Sequence, residues 1–330
     1  MRGRHWVRVA VYVPLLGVLG WLLPGLIDAY TPFVPPEVHE RQKAMGSLNG
    51  LPPRLKGVFQ ETASFDGIPE PGPGDWLTSI GRMDRRGQTV RRFKRGWRND
   101  VTEGCRTFYI LPCDPAFHGQ EALLKSFEAF MGHYFQLPVR VLDTLDLGHG
   151  VTSRENNGVL QWLTRDILDL LADCVPEDAY SLIALTLTDL YPKESWNFVF
   201  GQASLKDRVG VFSLARYFET FSTNGETDFG SIDVKFMRRA FKVLAHETGH
   251  MFGIHHCIHY HCLMNGSGSL SETDRAPLHA CPVCLRKLHL PIGFDPIRRY
   301  QSLRSFYEEH GLGSEARWIE QRLDEITHQN

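Results

Sequence analysis

The stretch HETGHMFGIHHC, residues 246–257, places four histidines and a cysteine within twelve positions. Upstream, Phe236, Ala240, Val243 and Leu244 recur at i, i+4, i+7 and i+8, so the spacing predicts a helix from about Val234 to Gly253. His246 and His250 are four residues apart on it and lie one turn above the other on a single face. Two imidazoles so placed can hold one zinc ion, with Glu247 beside the open coordination position. Glycine at 253 can take a positive φ and end the helix in a sharp turn. The chain then doubles back to offer a third ligand, which in the spacing H-E-x-x-H-x-x-G-x-x-H is His256 and leaves His255 spare. HExxH alone is a weak signal; Gly253 and His256 at fixed offsets make a chance match far rarer.

The next residue belongs to a second pattern. Cys257-x4-Cys262 and Cys281-x2-Cys284 are two cysteine pairs separated by 18 residues, the spacing of a four-thiolate structural zinc site. Four deprotonated sulfurs fill a tetrahedron and leave no place for water, so such an ion staples the chain rather than catalysing. The alternative is a pair of disulfides in an exported protein. Cys105, Cys113 and Cys174 read as ordinary cysteines, with a 105–113 disulfide the alternative in an oxidising compartment.

Around these clusters the chain runs to 330 residues, 42% of them hydrophobic, enough for one large core or two modest ones. A formal charge of −2 argues against a nucleic-acid partner. Residues 1–30 contain Arg2, Arg4 and Arg8 followed by nineteen uncharged residues, Val9 to Ile27, near the length that crosses a bilayer. The expectation is a membrane anchor, with a cleaved signal or a buried core helix as rivals and a cytoplasmic protein as the alternative location. Residues 31–75, with PFVPPEVHE and IPEPGPGDW, read as a Pro/Gly-rich, poorly packed lead-in to a domain over 76–330. GRMDRRGQTVRRFKRGWRND reads as a solvated basic face.

From residue 105 on, strands and helices alternate, predicting an α/β (α+β) domain with a mixed sheet. LPVRVL (137–142), SLIALTLTDLYP, NFVFGQAS and VGVFSLARY are strand candidates. GVLQWLTRDILDLLADCVPEDA reads as an amphipathic helix with Leu160, Leu163, Ile167, Leu168 and Leu171 on one face, stopped by Pro176. Trp196, Phe198 and Phe200 read as sheet packing first and substrate contacts second. The tail from about Arg298 reads as two amphipathic helices.

H246-E-x-x-H-x-x-G-x-x-H256-C, then C262-L-M264 and C281-x-x-C284, resembles the archaemetzincins, a branch of the metzincin metallopeptidases. DLYPKESWNFVFGQASLKDRVGVFSLARY and CLMNGSGSLSETDRAPLHACPVCLRKL are similar to the animal-type members, and the likeness covers about residues 76–310. It implies a metzincin-like fold: a twisted mixed sheet, an active-site helix, a Met-turn and a C-terminal helical subdomain with a second zinc. By position, His246, His250 and His256 would hold the catalytic zinc, Glu247 would be the general base, and Met264 would be the Met-turn methionine. Cys257, Cys262, Cys281 and Cys284 would hold the second zinc, giving two ions per chain. VGVFSLARY resembles the edge strand against which a metzincin substrate lies. No tyrosine closely follows Met264 to stabilise a transition state, which leaves Tyr217, Tyr260 and the non-ligand histidines as unranked candidates. The implied activity is zinc-dependent hydrolysis of peptides or small proteins, aminopeptidase-like on small peptides. The alternative is a zinc-stabilised binding or scaffold protein with little turnover. Oligomeric state is left open.

Overall fold

A computed structural model of the chain describes residues 32–79, 85–148, 150–221 and 227–328. Among the described residues eight strands follow in chain order: β1 (Thr107–Pro112), β2 (Val139–Val141), β3 (Ser153–Asn156), β4 (Val159–Leu163), β5 (Ala179–Thr186), β6 (Asp189–Tyr191), β7 (Gly201–Ser204) and β8 (Val209–Ser213). Five pair in the order β2-β1-β5-β8-β7, parallel except for β7, which runs antiparallel to β8 at the edge. β3, β4 and β6 form a separate small sheet. β1 and β5 are buried at every position, which is why they read as unbroken apolar runs.

Alternate residues of these strands serve opposite faces. Phe108, Ile110 and Ile183 join one core, Tyr109, Leu111 and Leu182 the other. The helices are α1 (Val38–Met45), α2 (Pro53–Phe59), α3 (Val90–Arg95), α4 (Glu121–Phe135), α5 (Thr164–Ala172), α6 (Val234–Met251), α7 (Leu270–Arg275), α8 (Pro282–Ile292), α9 (Pro296–Glu309) and α10 (Gly313–His328), with a single helical turn at Trp76–Ser79. α4 and α6 pack in the first core, where Phe130 stacks on Phe241 with centroids 4.5 Å apart. α5 covers the other face with Ile167, Leu168 and Leu171.

Several expectations are revised. The helix expected from residue 158 begins only at Thr164, because Val159–Leu163 is strand β4. Asn157 and Gly158 take φ of 52° and 78°, the two left-handed residues that a tight hairpin needs, and β4 then pairs with β6. Leu160 points outward, 54% exposed, while Trp162 is buried. The strand expected at NFVFGQAS starts only at Gly201. The stretch read as a poorly packed lead-in holds α1 and α2, and Ala44, Met45, Val58, Phe59 and Phe65 are buried in the first core. The basic segment includes α3, which buries Val90 and Phe93 and turns Arg91, Arg92, Lys94 and Arg95 to solvent, as expected. The tail forms α9 and α10. The apolar segment Val9–Ile27 lies outside the described residues. Among those described, no helix is long and apolar enough to cross a membrane.

Candidate active site

α6 begins with Asp233, whose carboxylate accepts the Phe236 N–H at 2.7 Å and so caps the helix. Phe236, Ala240, Val243 and Leu244 are buried, and His246 and His250 run along the adjoining stripe of the helix, where with Val243 they line the cleft. Gly253 then turns the chain with φ +85°, and a Cβ there would stand 2.8 Å from the Trp97 carbonyl oxygen. The turn returns His256 to the helix, and one ring nitrogen from each of His246, His250 and His256 lies within 4.8 Å of the others. His246 Nε2 and His250 Nε2 are 3.1 Å apart.

The outer nitrogens explain the orientation. His246 Nδ1 is 2.8 Å from the Leu263 carbonyl and His250 Nδ1 is 2.6 Å from the Ile254 carbonyl. With Nδ1–H donating outward, each Nε2 carries its lone pair inward, the arrangement metal-binding imidazoles adopt. Burial, reinforced by the neighbouring imidazoles, pushes His246 down to about 3 and drives His250 well below its ordinary range, so both rings are neutral. Glu247 lines the same cleft, and burial lifts its carboxyl to about 7.

Residues outside the motif hold this geometry. Buried Gln88 donates from Nε2 to the Gly253 carbonyl at 3.0 Å and accepts the His255 N–H at 3.1 Å, clamping the turn from both sides. Trp76 sets its ring edge-on to His256, with centroids 5.1 Å apart. Nothing in the sequence near either residue marks it; both come from segments read as tether or basic surface. Met264 lies under the helix: a Cβ on Gly249 would be 2.6 Å from its sulfur. Gly249 therefore has to be a glycine for the methionine to sit there.

The four cysteines form a second cluster next to the first. Cys257, Cys262, Cys281 and Cys284 are buried, and their sulfurs lie within 4.8 Å of one another. They are free thiols, and the 3.7 Å between the Cys257 and Cys281 sulfurs is far outside disulfide length, so the disulfide alternative does not hold here. Backbone N–H groups of Met264 and Cys281 donate to Cys262 Sγ, at 3.4 and 3.2 Å, and orient that sulfur within the cluster. Asn265 pins the intervening loop, donating to the Cys257 and Tyr260 carbonyls and accepting the Cys262 N–H. Cys105 and Cys113 are separate free thiols, and burial pushes Cys113 up to about 12.

The histidines open into a cleft of about 1030 Å³. Trp196, Phe198 and Phe200, taken first as sheet packing, border it, as do Gly201 and Gln202 of β7. The strand bordering it as an edge is thus β7; β8, which carries VGVFS, is interior, paired to β5 and β7. Gly201 faces Phe212 across that pair, where a Cβ would be 2.5 Å from the ring. Of the two tyrosine candidates, Tyr217 borders the cleft, while Tyr260 is buried elsewhere with Arg41 5.2 Å above its ring.

The sequence matches the model of Peptidase family M54 over residues 137–290, a span that takes in both clusters. It is 34% identical over 288 residues to Archaemetzincin-2 of Macaca fascicularis, covering 79% of each chain. The chain belongs to the archaemetzincin family. Archaemetzincin-2 of Homo sapiens is likewise 34% identical, over 78% of this chain and 79% of that one. A crystal structure of archaemetzincin from Methanopyrus kandleri is 28% identical, with a TM-score of 0.46, covering 58% of this chain and 98% of that one. As an archaemetzincin the protein is a zinc metallopeptidase, and both donor sets suit its metal: neutral imidazole and thiolate are ligands zinc takes.

Proposed function

We propose that this archaemetzincin hydrolyses small peptides at the cleft beside His246, His250 and His256, with Glu247 as general base. The observation that carries it is the convergence of three imidazoles, two of them fixed through their outer nitrogens, and one half-buried carboxyl in a cleft bordered by a sheet edge. His246, His250 and His256 would hold a zinc ion that would supply Lewis-acid polarisation and favour the ionised form of the Glu247 carboxyl. Glu247 accepts a proton from the attacking water and returns it to the leaving amine. The backbone of β7 pairs with an extended peptide and aligns its scissile carbonyl, while the aromatic residues around Phe198 hold side chains. Tyr217 faces the cleft where an O–H donor can stabilise developing charge. Cys257, Cys262, Cys281 and Cys284 hold a second, structural zinc, for a total of two.

Aminopeptidase-like trimming is the mode the family resemblance suggests. It asks for an anion to hold the terminal ammonium, and among the described residues lining the cleft Glu247 is the one carboxylate. That observation favours internal or carboxyl-terminal cleavage as the second reading. The test uses a mixed peptide library with products read by mass spectrometry. Wild type is expected to cut and Glu247→Ala to lose at least about 1000-fold in rate while keeping its zinc. Turnover in zinc-loaded Glu247→Ala would overturn the role of this residue. The cut positions distinguish trimming from internal cleavage.

A further inference from the structure

Lys242 stands about one helical turn before His246, on the stripe Lys242–His246–His250 that faces the cleft, about 6 Å along the axis per step. It is 3% exposed. Its ammonium donates to the carbonyls of Thr273 and Ala276, which also border the cleft. A lysine has three N–H donors, so one is left over. Burial pushes its pKa down to about 7, which Asp274 and Glu315 offset only in part. The nearby carboxylates are committed: Asp274 takes Arg239 with both oxygens, at 2.7 and 2.5 Å, and Glu315 takes Arg238. No carboxylate among the described residues lies within ion-pair distance of Lys242. A buried cation without an anion is costly, and two carbonyl contacts could be made by a neutral donor at less desolvation cost.

We propose that Lys242 forms an anion subsite at the base of the cleft and takes a carboxylate of the bound peptide, at one of the two residues flanking the scissile bond. That carboxylate is an acidic side chain or the chain terminus. Both present the same group to the ammonium, and one turn of helix from the first histidine is the distance of a neighbouring substrate residue. Lys193, the other cation lining the cleft, adds to the same field. This inference rests on the peptidase reading and goes beyond it by naming the substrate class.

The test compares matched peptides on the full-length, zinc-loaded protein. One series carries Glu, Gln or Lys at each flanking position; another ends at the flanking residue as free acid or amide. The expected result is a kcat/KM at least about 10-fold higher for Glu over Gln, or for acid over amide, at one position. A preference in the first series identifies an acidic side chain as the ligand, and one in the second identifies the terminus. Lys242→Met should reduce that ratio to near one, with the loss in KM, while the Gln and amide peptides change little. A lysine that merely clasps Thr273 and Ala276 would instead lower all peptides alike. Equal rates for Glu and Gln, and for acid and amide, in the wild type overturn the proposal without any variant. If Lys242→Met does not melt cooperatively, Lys242→Gln replaces it, and if that also fails the wild-type ratios decide. If the wild type cleaves nothing, the peptidase reading fails, and calorimetric titration of the same peptides into Glu247→Ala protein decides separately. Binding that needs the carboxylate supports the subsite; equal binding overturns it.

Discussion

Gly253 and Gln88 together decide where His256 stands. The glycine does so by conformation, since φ +85° is disfavoured for any residue with a Cβ, and by space, since that Cβ would meet the Trp97 carbonyl at 2.8 Å. Gln88 does so with two hydrogen bonds that leave the Gly253 carbonyl and His255 N–H no reason to move. Gln88→Ala is expected to cost about 1–3 kcal/mol, because both backbone groups lose a buried partner, and to weaken zinc at the histidines about 10- to 100-fold. Gly253→Ala should do the same through strain. Competition with a zinc-binding dye checks both; a histidine site of wild-type affinity in Gln88→Ala would remove the clamp from this account. Of these residues, Gly253 is legible in the sequence because its offset from His250 is fixed. Gln88 is not: it lies more than 160 positions away, and only the fold brings it there.

At the scale of elements, two arginines from the carboxyl-terminal helices close the ends of two amino-terminal ones. Arg322 of α10 is fully buried and donates to the carbonyls of Gly57 and Val58 at 2.8 and 2.9 Å, in the last turn of α2. Arg286 of α8 donates to the Met45 and Ser47 carbonyls at 2.7 and 2.9 Å, at the end of α1. Each satisfies orphan carbonyls and complements the negative end of a helix dipole. Composition marked residues 31–75 as unpacked because prolines and glycines dominate it locally; the partners that order α1 and α2 lie more than 200 residues away. Arg322→Met is expected to destabilise the protein by about 2–4 kcal/mol, since several buried carbonyls lose their donor. Hydrogen exchange should speed up first at residues 53–62. Unchanged protection there would show that apolar packing alone holds α2. β8 and β7 give the same lesson on the sheet: both read as strands, but only the pairing order places β7 at the edge.

For the molecule as a whole, the two clusters share one loop. Cys257 follows His256 directly, and Cys262 precedes Leu263, whose carbonyl fixes His246, and Met264, which supports Gly249. Losing the cysteine cluster therefore loosens the histidines. Cys281→Ser is expected to reduce zinc at both clusters and lower Tm by on the order of 10 °C, corresponding to a few kcal/mol. Strong chelation of the wild type should go further, and retention of one full equivalent of zinc in Cys281→Ser would show the clusters to be independent. Acid works in the same direction, because imidazole and thiolate must both be deprotonated to bind, so zinc is held at neutral pH and released as pH falls. We also expect the apolar segment Val9–Ile27, with Arg2, Arg4 and Arg8 before it, to anchor the protein in a bilayer. Release of the full chain into the soluble fraction by alkaline carbonate would refute that.

The sequence by itself determined what depends on short, fixed offsets. A helix repeats every 3.6 residues, so His246 and His250 had to share a face with Glu247 beside them, Gly253 could turn the chain, and His256 was the third imidazole within reach. The cysteine spacing marked the second cluster by the same logic, and the buried parallel strands announced themselves as apolar runs. The tertiary structure alone decided the rest. It set which strand is the edge, which tyrosine meets the cleft, which arginines seal the amino-terminal helices, and that Lys242 stands in the cleft without a carboxylate beside it. Each of these is a relation between residues far apart in the chain, fixed by how buried faces and unpaired polar groups find partners, and no local spacing encodes it.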